Sequence, residues 1–356
     1  MIPVFDGHND FLLRVWMNDA PRSALLDGSA GGGHLDLPRM RQGGFVGGLF
    51  AIFVPSPMEM PFQELEKVMA APPYDVALPE EIGHARAQPA ALGMAGHLVG
   101  MCRDRPDDFA LCLSVADIES AMASDRIACV MHMEGAEAID PDLDALYLFH
   151  AMGLRSLGPV WSRTNVFGHG VPFRFPGSPD TGPGLTDAGK RLVRACNALG
   201  IAIDLSHITE KGMDDVAAIS DAPLIASHSN AHAVTDSPRN LTDRQLAMIR
   251  ESGGIAGLNY ATMFLRDDGK LDRETGWDPM LRHLDHMIGI LGEDHIGLGS
   301  DFDGANIPDC LGDVSGLQRF LDVLGEHGFG DELIGKLAHR NWLDVLRKTW
   351  ADEARP

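Results

Sequence analysis

The segment IPVFDGHND, residues 2–10, is the first indication of the fold, because it joins a short apolar run to His8 and Asp10. The same arrangement, an apolar run that ends in a potential metal ligand, recurs further along the chain. The recurrences are IACVMHMEG (127–135), IAIDLSH (201–207), PLIASHS (223–229) and HIGLGSDFDG (295–304). One histidine after a strand means little. Five strands that each end in a nitrogen or oxygen ligand indicate a single mouth where metal ions are held.

About eight short runs have the composition of β-strands, the number that a closed (β/α)8 barrel requires. They cover residues 3–6, 48–54, 127–133, 156–160, 202–205, 223–226, 254–259 and 296–300. Between most of them, apolar residues recur at helical spacing in residues 143–152, 188–199, 244–251, 280–291 and 317–325. Gly153, Gly200 and Gly253 follow three of these helices, as C-terminal caps do. The alternation predicts a single α/β barrel of the TIM type with a parallel sheet.

Two long segments interrupt this alternation. Residues 55–126 contain several helical patterns, so we expect extra helices after the second strand. Residues 161–185 are rich in glycine and proline and predict a long loop after the fourth strand. A loop of this length is usually functional or mobile. Because the chain shows no repeats and no linker, we expect residues 1–356 to form one domain.

The composition argues against two classes of partner. The chain carries 51 acidic and 29 basic residues, and the net charge of −22 repels phosphate backbones and anionic membranes. No apolar stretch is long enough to span a bilayer, and we expect no removable signal, because His8 comes too early to follow one. Five cysteines, an odd number without a CxxC pair, argue for a reducing compartment. We therefore expect a cytoplasmic protein that binds neither nucleic acid nor membrane.

The candidate metal ligands fall into two pairs and one carboxylate. His8 and Asp10 are two residues apart, so both can point to one face and hold one ion. His207 and His228 end successive strands and suit a second ion. Burial of the Glu134 carboxylate costs free energy unless the charge is paired, and a position between two cations would compensate that cost. The alternative role for Glu134 is that of an acidic residue at a helix N-terminus. A nitrogen and oxygen set without cysteine favours Zn²⁺, with Mn²⁺ and Co²⁺ as alternatives.

Asp301 is the candidate proton acceptor. It follows the eighth strand, whose neighbour in a closed ring is the first strand, so it should lie near His8 and Asp10. From there it could accept a proton from a metal-bound water. Asp303, two residues later, is a less favoured substitute.

Several segments together resemble the renal-type or membrane dipeptidase family, zinc dipeptidases on a barrel of the amidohydrolase type. The segments are DGHND, FVGGLFAIF, MEGAEAI, GLTDAGKRLV, IDLSH, SHSNAHAVTDSPRN, GLGSDFDG and GKLAHRNWLDVL, which extend from residue 6 to residue 346. The resemblance implies two zinc ions, held by His8 and Asp10, by the bridging Glu134, and by His207 and His228.

The resemblance also implies roles for residues around the metals. Asp301 would be the proton shuttle, and Arg239 in SPRN would pair with the terminal carboxylate of the substrate. A guanidinium suits that task because it can make two parallel hydrogen bonds. The alternative for a lone arginine in a polar loop is a solvated surface position.

One position departs from the family pattern. Where the family carries a histidine that contacts the substrate carbonyl, this sequence has Trp161. We expect Trp161 to narrow the pocket or stack against it; His169, later in the same loop, is a less favoured replacement for the missing histidine. His132 is expected to fill the barrel, and Asn259 and Tyr260 are weaker candidates for lining the pocket.

The sequence therefore predicts a binuclear zinc dipeptidase in which a hydroxide held between the metals attacks free dipeptides. The resemblance suggests tolerance of a D-residue at the C-terminal position. Two alternatives stay open: another metal-dependent amidohydrolase on the same barrel (an N-acyl amino acid amidase, a lactonase or a deaminase), and a non-catalytic, metal-stabilised binding protein. The oligomeric state is also open, a homodimer included.

Overall fold

Parallel strands form a closed ring in the computed structural model, which describes residues 1–57 and 62–350. The first to eighth barrel strands are Val4–Asn9, Phe45–Phe53, Ile127–Glu134, Leu154–Gly158, Ala202–Ile203, Ile225–Ala226, Ile255–Leu258 and Ile296–Leu298. Each pairs in parallel with the next, the fifth and sixth through a bridge between Asp204 and Ile225. A parallel bridge between Asn9 and Phe302 closes the ring. The predicted (β/α)8 barrel is confirmed.

The fifth and eighth barrel strands end two residues earlier than predicted, and carboxylates accept backbone hydrogen bonds where these strands end, whereas the sixth strand begins two residues later than predicted. Asp204 accepts hydrogen bonds from the backbone N–H groups of Ser206 (3.1 Å) and Ser227 (2.7 Å). Asp6 accepts one from the backbone N–H of Ser300 (2.7 Å). Side chains that bond to nearby backbone groups compete with the sheet ladder. The chain therefore leaves the ladder at the mouth of the barrel.

Helices surround the barrel, and the five predicted helices are present with ends shifted by at most two residues. Gly153, Gly200 and Gly253 have the positive φ expected after a helix. Within the described residues, no helix has the length and apolar character needed to cross a bilayer. The α-helices are Phe11–Met17, Arg22–Leu26, Leu37–Gly43, Phe62–Met69, His84–Asp104, Val115–Ala123, Asp144–Met152, Asp187–Leu199, Glu210–Ala217, Asp243–Glu251, Thr262–Leu265, Asp278–Leu291, Leu317–His327, Asp331–Gly335 and Asn341–Trp350, with a 3₁₀ turn at Val314–Gly316 and a π-helical turn at Lys336–Arg340.

The two segments that interrupt the alternation pair with each other. Three helices follow the second barrel strand as predicted, while residues 58–61 of that segment lie outside the described residues. A short strand in the segment, Tyr74–Asp75, pairs antiparallel with Arg174–Phe175 in the long loop after the fourth barrel strand. Another short strand, Phe109–Leu111, pairs with the start of the third barrel strand. These three short strands were not predicted, and the first pair fixes the long loop against the inserted segment.

Apolar side chains fill the interior of the barrel. Phe5, Leu49 and Val130 from the first three strands belong to one buried cluster with Trp342 of the last helix. The Trp342 indole is fully buried and donates a hydrogen bond from Nε1 to the Leu298 carbonyl (2.9 Å). A filled interior leaves the loops at the carboxyl ends of the strands as the place for function, as in other barrels of this type.

Candidate metal centre

The five predicted metal ligands converge on one buried point at the carboxyl end of the barrel. Glu134 lies in the middle, with its Oε1 atom 3.0 Å from His207 Nε2 and 3.3 Å from His228 Nε2. The same oxygen is 3.8 Å from His8 Nε2, which in turn lies 3.2 Å from Asp10 Oδ2. All five side chains are buried. Glu134 thus joins a His8–Asp10 pair to a His207–His228 pair, as a carboxylate between two cations would.

The hydrogen bonds of His228 show which of its nitrogens is free to bind a cation. Ser227 Oγ lies 2.6 Å from Asp204 Oδ2 and 2.7 Å from His228 Nδ1. The Ser227 hydroxyl donates its one hydrogen to Asp204, so it accepts from Nδ1 of His228. The Nε2 atom of His228 then carries a lone pair and faces both Glu134 Oε1 and His207 Nε2, the latter at 3.1 Å. Buried acceptors that face one another fit a metal ion.

His207 is prepared for ligation in a similar way. Its Nδ1 atom lies 2.8 Å from the hydroxyl of Ser162, which leaves Nε2 directed at Glu134. Burial, with a smaller contribution from the positive charge of Arg239, lowers the pKa of His207 well below its usual value. Burial also lowers the pKa of His228. Both rings are therefore neutral, as metal ligation requires.

Negative charge accumulates around His8. Burial alone would lower the pKa of His8, but the carboxylates of Glu134, Asp10 and Asp301 raise it to about 10. Burial raises the pKa of Glu134 well above its usual value, and Asp10 and Asp301 raise it further. Buried carboxylates this close are costly unless cations compensate them. The chemistry of this donor set therefore fits metal ions.

Asp301 stands at the edge of this centre, where the sequence predicts a proton acceptor. Its Oδ2 atom accepts a hydrogen bond from the Asn259 amide (3.0 Å), and its backbone N–H donates to the His8 carbonyl (3.0 Å). Asp301 has a φ of +60°, a conformation that non-glycine residues adopt rarely and that is frequent at functional sites. Asp303, the less favoured candidate, instead pairs with Arg14 at 3.1 Å.

Arg239 is buried beside the metal centre rather than solvated on the surface. Its guanidinium donates to the His228 carbonyl (3.1 Å) and to the Ser229 hydroxyl (3.3 Å), while its Nε atom has no hydrogen-bond partner among the described residues. The Phe264 ring supports the guanidinium at 5.3 Å. Burial lowers the pKa of Arg239 to about 10, although Asp301 opposes the effect, so the group stays charged at neutral pH.

Trp161 lies next to the metal ligands and remains partly exposed. Its ring centre is 5.7 Å from that of His207 and 4.9 Å from that of Phe53 at the end of the second barrel strand. The Arg163 guanidinium lies 5.5 Å from the indole and is fully buried with Glu137 as its partner (3.0 Å). The indole is therefore held in place at the centre, which is compatible with its predicted role in shaping the pocket.

The remaining candidates lie in different surroundings. The Asn259 amide is occupied by Asp301 and by the His228 carbonyl (3.3 Å). Tyr260 is not brought to the centre: its ring is fully buried and packs against Phe302 and Phe320, so its role in substrate binding stays a prediction without a contact to support it.

Two further histidines for which the sequence suggested a role, His132 and His169, are each held by a hydroxyl group. His132 fills the barrel beside His8, with Nδ1 held by the Ser156 hydroxyl at 2.9 Å. The Nδ1 atom of His169 is engaged by the Thr164 hydroxyl at 3.2 Å.

Sequence reasoning missed the residues that hold the ligands. Ser162, Asp204 and Ser227 orient the two histidines of the second pair, and Arg163 and Glu137 anchor the loop that carries Trp161. The repeated Ser-His dipeptide was a signal for Ser227, whose hydroxyl binds the histidine that follows it. No comparable signal marks Ser162, because its partner His207 is 45 residues away.

Comparisons with known proteins agree with this geometry. A sequence profile described as membrane dipeptidase (peptidase family M19) matches residues 1–355. A crystal structure of a metallo peptidase from Rhodobacter sphaeroides, liganded with a phosphinate mimic of the dipeptide L-Ala-D-Ala, superposes with a TM-score of 0.96; it is 60% identical and the match covers 98% of this chain and 99% of that one. The dipeptidase ataJ from Aspergillus terreus is 30% identical over 98% of this chain and 84% of its own length. A protein of Klebsiella pneumoniae, named for the pqqA 5′ region, is 51% identical over 67% of this chain and 89% of its own.

Proposed function

The chain belongs to the membrane dipeptidase family, peptidase family M19, and is a metallodipeptidase; we propose that it hydrolyses free dipeptides with two zinc ions. The observation that carries this proposal is the position of Glu134 Oε1 between the two pairs of ligands. His8 and Asp10 would hold one ion, and His207 and His228 the other. Mn²⁺ or Co²⁺ could take the same ligands.

Zinc ions at these ligands would polarise the scissile carbonyl and lower the pKa of water at the site. Asp301 takes up the proton of the attacking water and passes it to the leaving amine. Its Oδ2 atom accepts a hydrogen bond from the Asn259 amide, which holds the carboxylate at the edge of the centre. Asn259 thus acts by orienting Asp301.

Arg239 selects the substrate by its C-terminal carboxylate. The guanidinium is charged, buried and supported by Phe264, and its Nε–H has no hydrogen-bond partner among the described residues. A carboxylate can accept two parallel hydrogen bonds from such a group. On the other side of the scissile bond, the free amino group of the substrate would meet the acidic ligands, Asp10 among them. Contacts at both ends limit the substrate to two residues.

A D-residue at the C-terminal position is part of the proposal. It is supported by the similar Rhodobacter sphaeroides metallo peptidase, which binds a phosphinate mimic of L-Ala-D-Ala. We also propose a cytoplasmic location, which the five cysteines support because all are free in the structure.

The test compares substrates that keep or lose one terminal group. The zinc-loaded protein is expected to hydrolyse L-Ala-L-Ala and L-Ala-D-Ala, and to act far more slowly on N-acetyl-alanine, which keeps the carboxylate and lacks the amine. Asp301→Asn should retain zinc and lose hydrolysis, which separates the enzyme from contaminants. Faster hydrolysis of the N-acyl amino acid than of any dipeptide would support the second candidate, an N-acyl amino acid amidase, which Trp161 in place of the usual histidine keeps open.

A further inference from the structure

An aromatic wall runs from the metal centre to Arg239. The Trp161 ring is 5.7 Å from the His207 ring and 5.6 Å from the Phe173 ring. Phe173 is 6.1 Å from Phe264, and Phe264 supports the guanidinium of Arg239 at 5.3 Å. We call Trp161, Phe173 and Phe264 the aromatic wall. It spans the whole interval between a metal ligand and the carboxylate anchor.

The same interval holds one part of the substrate in the proposed function, on which this inference rests. The C-terminal residue of a dipeptide has its carboxylate at Arg239 and its peptide nitrogen at the metal centre. Its side chain therefore projects from the segment of substrate that lies beside the wall. Trp161 and Phe173 both keep part of their surface exposed, so they have area left to offer a ligand.

The two arginines next to Trp161 and Phe173 are each paired with a carboxylate, and Arg239, on Phe264, is taken up by the substrate's terminal carboxylate in the proposed function. Arg163, which packs against the Trp161 indole, is fully buried and paired with Glu137 at 3.0 Å. Arg174, the chain neighbour of Phe173, pairs with Asp75 at 2.8 Å. A charged substrate side chain placed here would lose water without gaining a partner, whereas an apolar one would be removed from water.

Phe173 is held rigidly enough to select among side chains. Its carbonyl accepts a hydrogen bond from the backbone N–H of Val76 (2.9 Å), next to the paired strands Tyr74–Asp75 and Arg174–Phe175. It also packs on a small apolar cluster that includes Met263 and Phe264. A surface fixed before binding loses little entropy when a ligand arrives.

We propose that the aromatic wall is the subsite for the side chain of the substrate's C-terminal residue, and that it selects apolar residues over charged ones. Trp161 and Phe173 contact the side chain, while Phe264 supports both Phe173 and Arg239. In this arrangement Trp161 gives the subsite apolar surface in place of the polar contact that the family's histidine would make.

Two substrate series test the proposal on the zinc-loaded, full-length protein. In the first series, Ala-Xaa, the C-terminal residue is varied in both L and D forms; in the second, Xaa-Ala, the N-terminal residue is varied. We expect kcat/KM to favour leucine and phenylalanine over aspartate and lysine by at least about tenfold in the Ala-Xaa series, because even one methylene group changes kcat/KM by about 10–200-fold in an apolar pocket, and a charged side chain would also lose its hydration. Phe173→Ala should reduce that ratio at least about tenfold and leave the Xaa-Ala ratios as in the parent.

The matched control is Phe175→Ala, in the same loop, where the ring packs on Tyr74. It is expected to keep the parent's Ala-Xaa ratios. Phe173→Glu supplies a second readout if the alanine variant does not fold, because it should favour lysine over leucine. Two results would overturn the aromatic-wall proposal and leave the proposed function intact. One is hydrolysis of dipeptides at equal rates for apolar and charged C-terminal residues; the other is an unchanged Ala-Xaa ratio in a folded Phe173 variant. No hydrolysis of any dipeptide by the zinc-loaded parent contradicts the proposed function itself.

Discussion

Arg239 is a buried cation whose hydrogen bonds to the His228 carbonyl and Ser229 hydroxyl leave Nε–H unused. Arg239→Met removes the charge and keeps a side chain of similar length. We expect kcat/KM for Ala-Ala to fall about tenfold to a hundredfold, because a charge-assisted hydrogen bond in a closed site is worth roughly 1.5–3 kcal/mol. Zinc content, measured by elemental analysis, should stay as in the parent.

The amide of the dipeptide, Ala-Ala-NH₂, provides the control for Arg239. It lacks the carboxylate, so the parent should hydrolyse it slowly and Arg239→Met should slow it little further. Equal losses on the acid and on the amide would show that Arg239 supports the site in another way and does not bind the carboxylate.

The family resemblance predicts that Trp161 occupies the position of a histidine that donates a hydrogen bond to the oxygen that gains charge in the transition state. Loss of one such donor typically costs about 10²–10³ in kcat, and an indole on a longer arm cannot replace imidazole in the same place. Trp161→His is therefore expected to raise the rate on simple dipeptides or to broaden the range of C-terminal residues. Steady-state kinetics on a dipeptide panel is the measurement. A folded, zinc-replete variant with the parent's profile would show that Trp161 does not shape the site.

At the scale of elements, the ends of the barrel strands carry both the ligands and the groups that orient them. Asp204 follows the fifth strand and Ser227 follows the sixth, and together they fix the tautomer of His228. Ser227→Ala leaves Nδ1 of His228 without its acceptor. We expect zinc affinity, measured by competition with a chelator, to fall about 10–100-fold, as is common for groups that orient a ligand.

Ser156→Ala is the matched control for Ser227. It also removes a buried hydroxyl from a histidine at the barrel mouth, but its partner His132 is not one of the five proposed ligands. Zinc affinity in Ser156→Ala should stay near that of the parent. Equal losses in both variants would point to general destabilisation of the barrel.

The strand ends also show which parts of the fold and of the site could be predicted from the sequence. Apolar runs followed by His8, Glu134 and His207 were sufficient to predict the barrel and a shared mouth, because in a parallel barrel every strand ends at the same side. The hydrogen bonds that connect Asp204, Ser227 and His228 could not be predicted from the sequence, because they depend on how two strand ends lie against each other. The support of Arg239 by Phe264 joins residues that no local pattern connects.

For the whole molecule, the mouth of the barrel gathers negative charge that zinc would compensate. Three carboxylates, those of Asp10, Glu134 and Asp301, act on His8 within the buried centre. Removal of metal with a chelator is therefore expected to lower the melting temperature, and zinc to restore it. Free zinc at about 1,000 times Kd would stabilise the folded state by about 4 kcal/mol per site. His207→Ala should show a smaller zinc-dependent shift; equal melting curves with and without zinc in the parent would contradict binding at this centre.

We propose that two zinc ions in this barrel cleave free dipeptides. The most direct measurement is a zinc titration of the metal-free protein, with bound zinc and hydrolysis of L-Ala-D-Ala followed together. We expect the rate to reach its maximum when about two zinc ions are bound per chain, as in other two-metal sites, and Glu134→Gln to abolish the rate at every zinc concentration. Maximal hydrolysis with one bound zinc, or two bound zinc ions without hydrolysis of any free dipeptide, would contradict it.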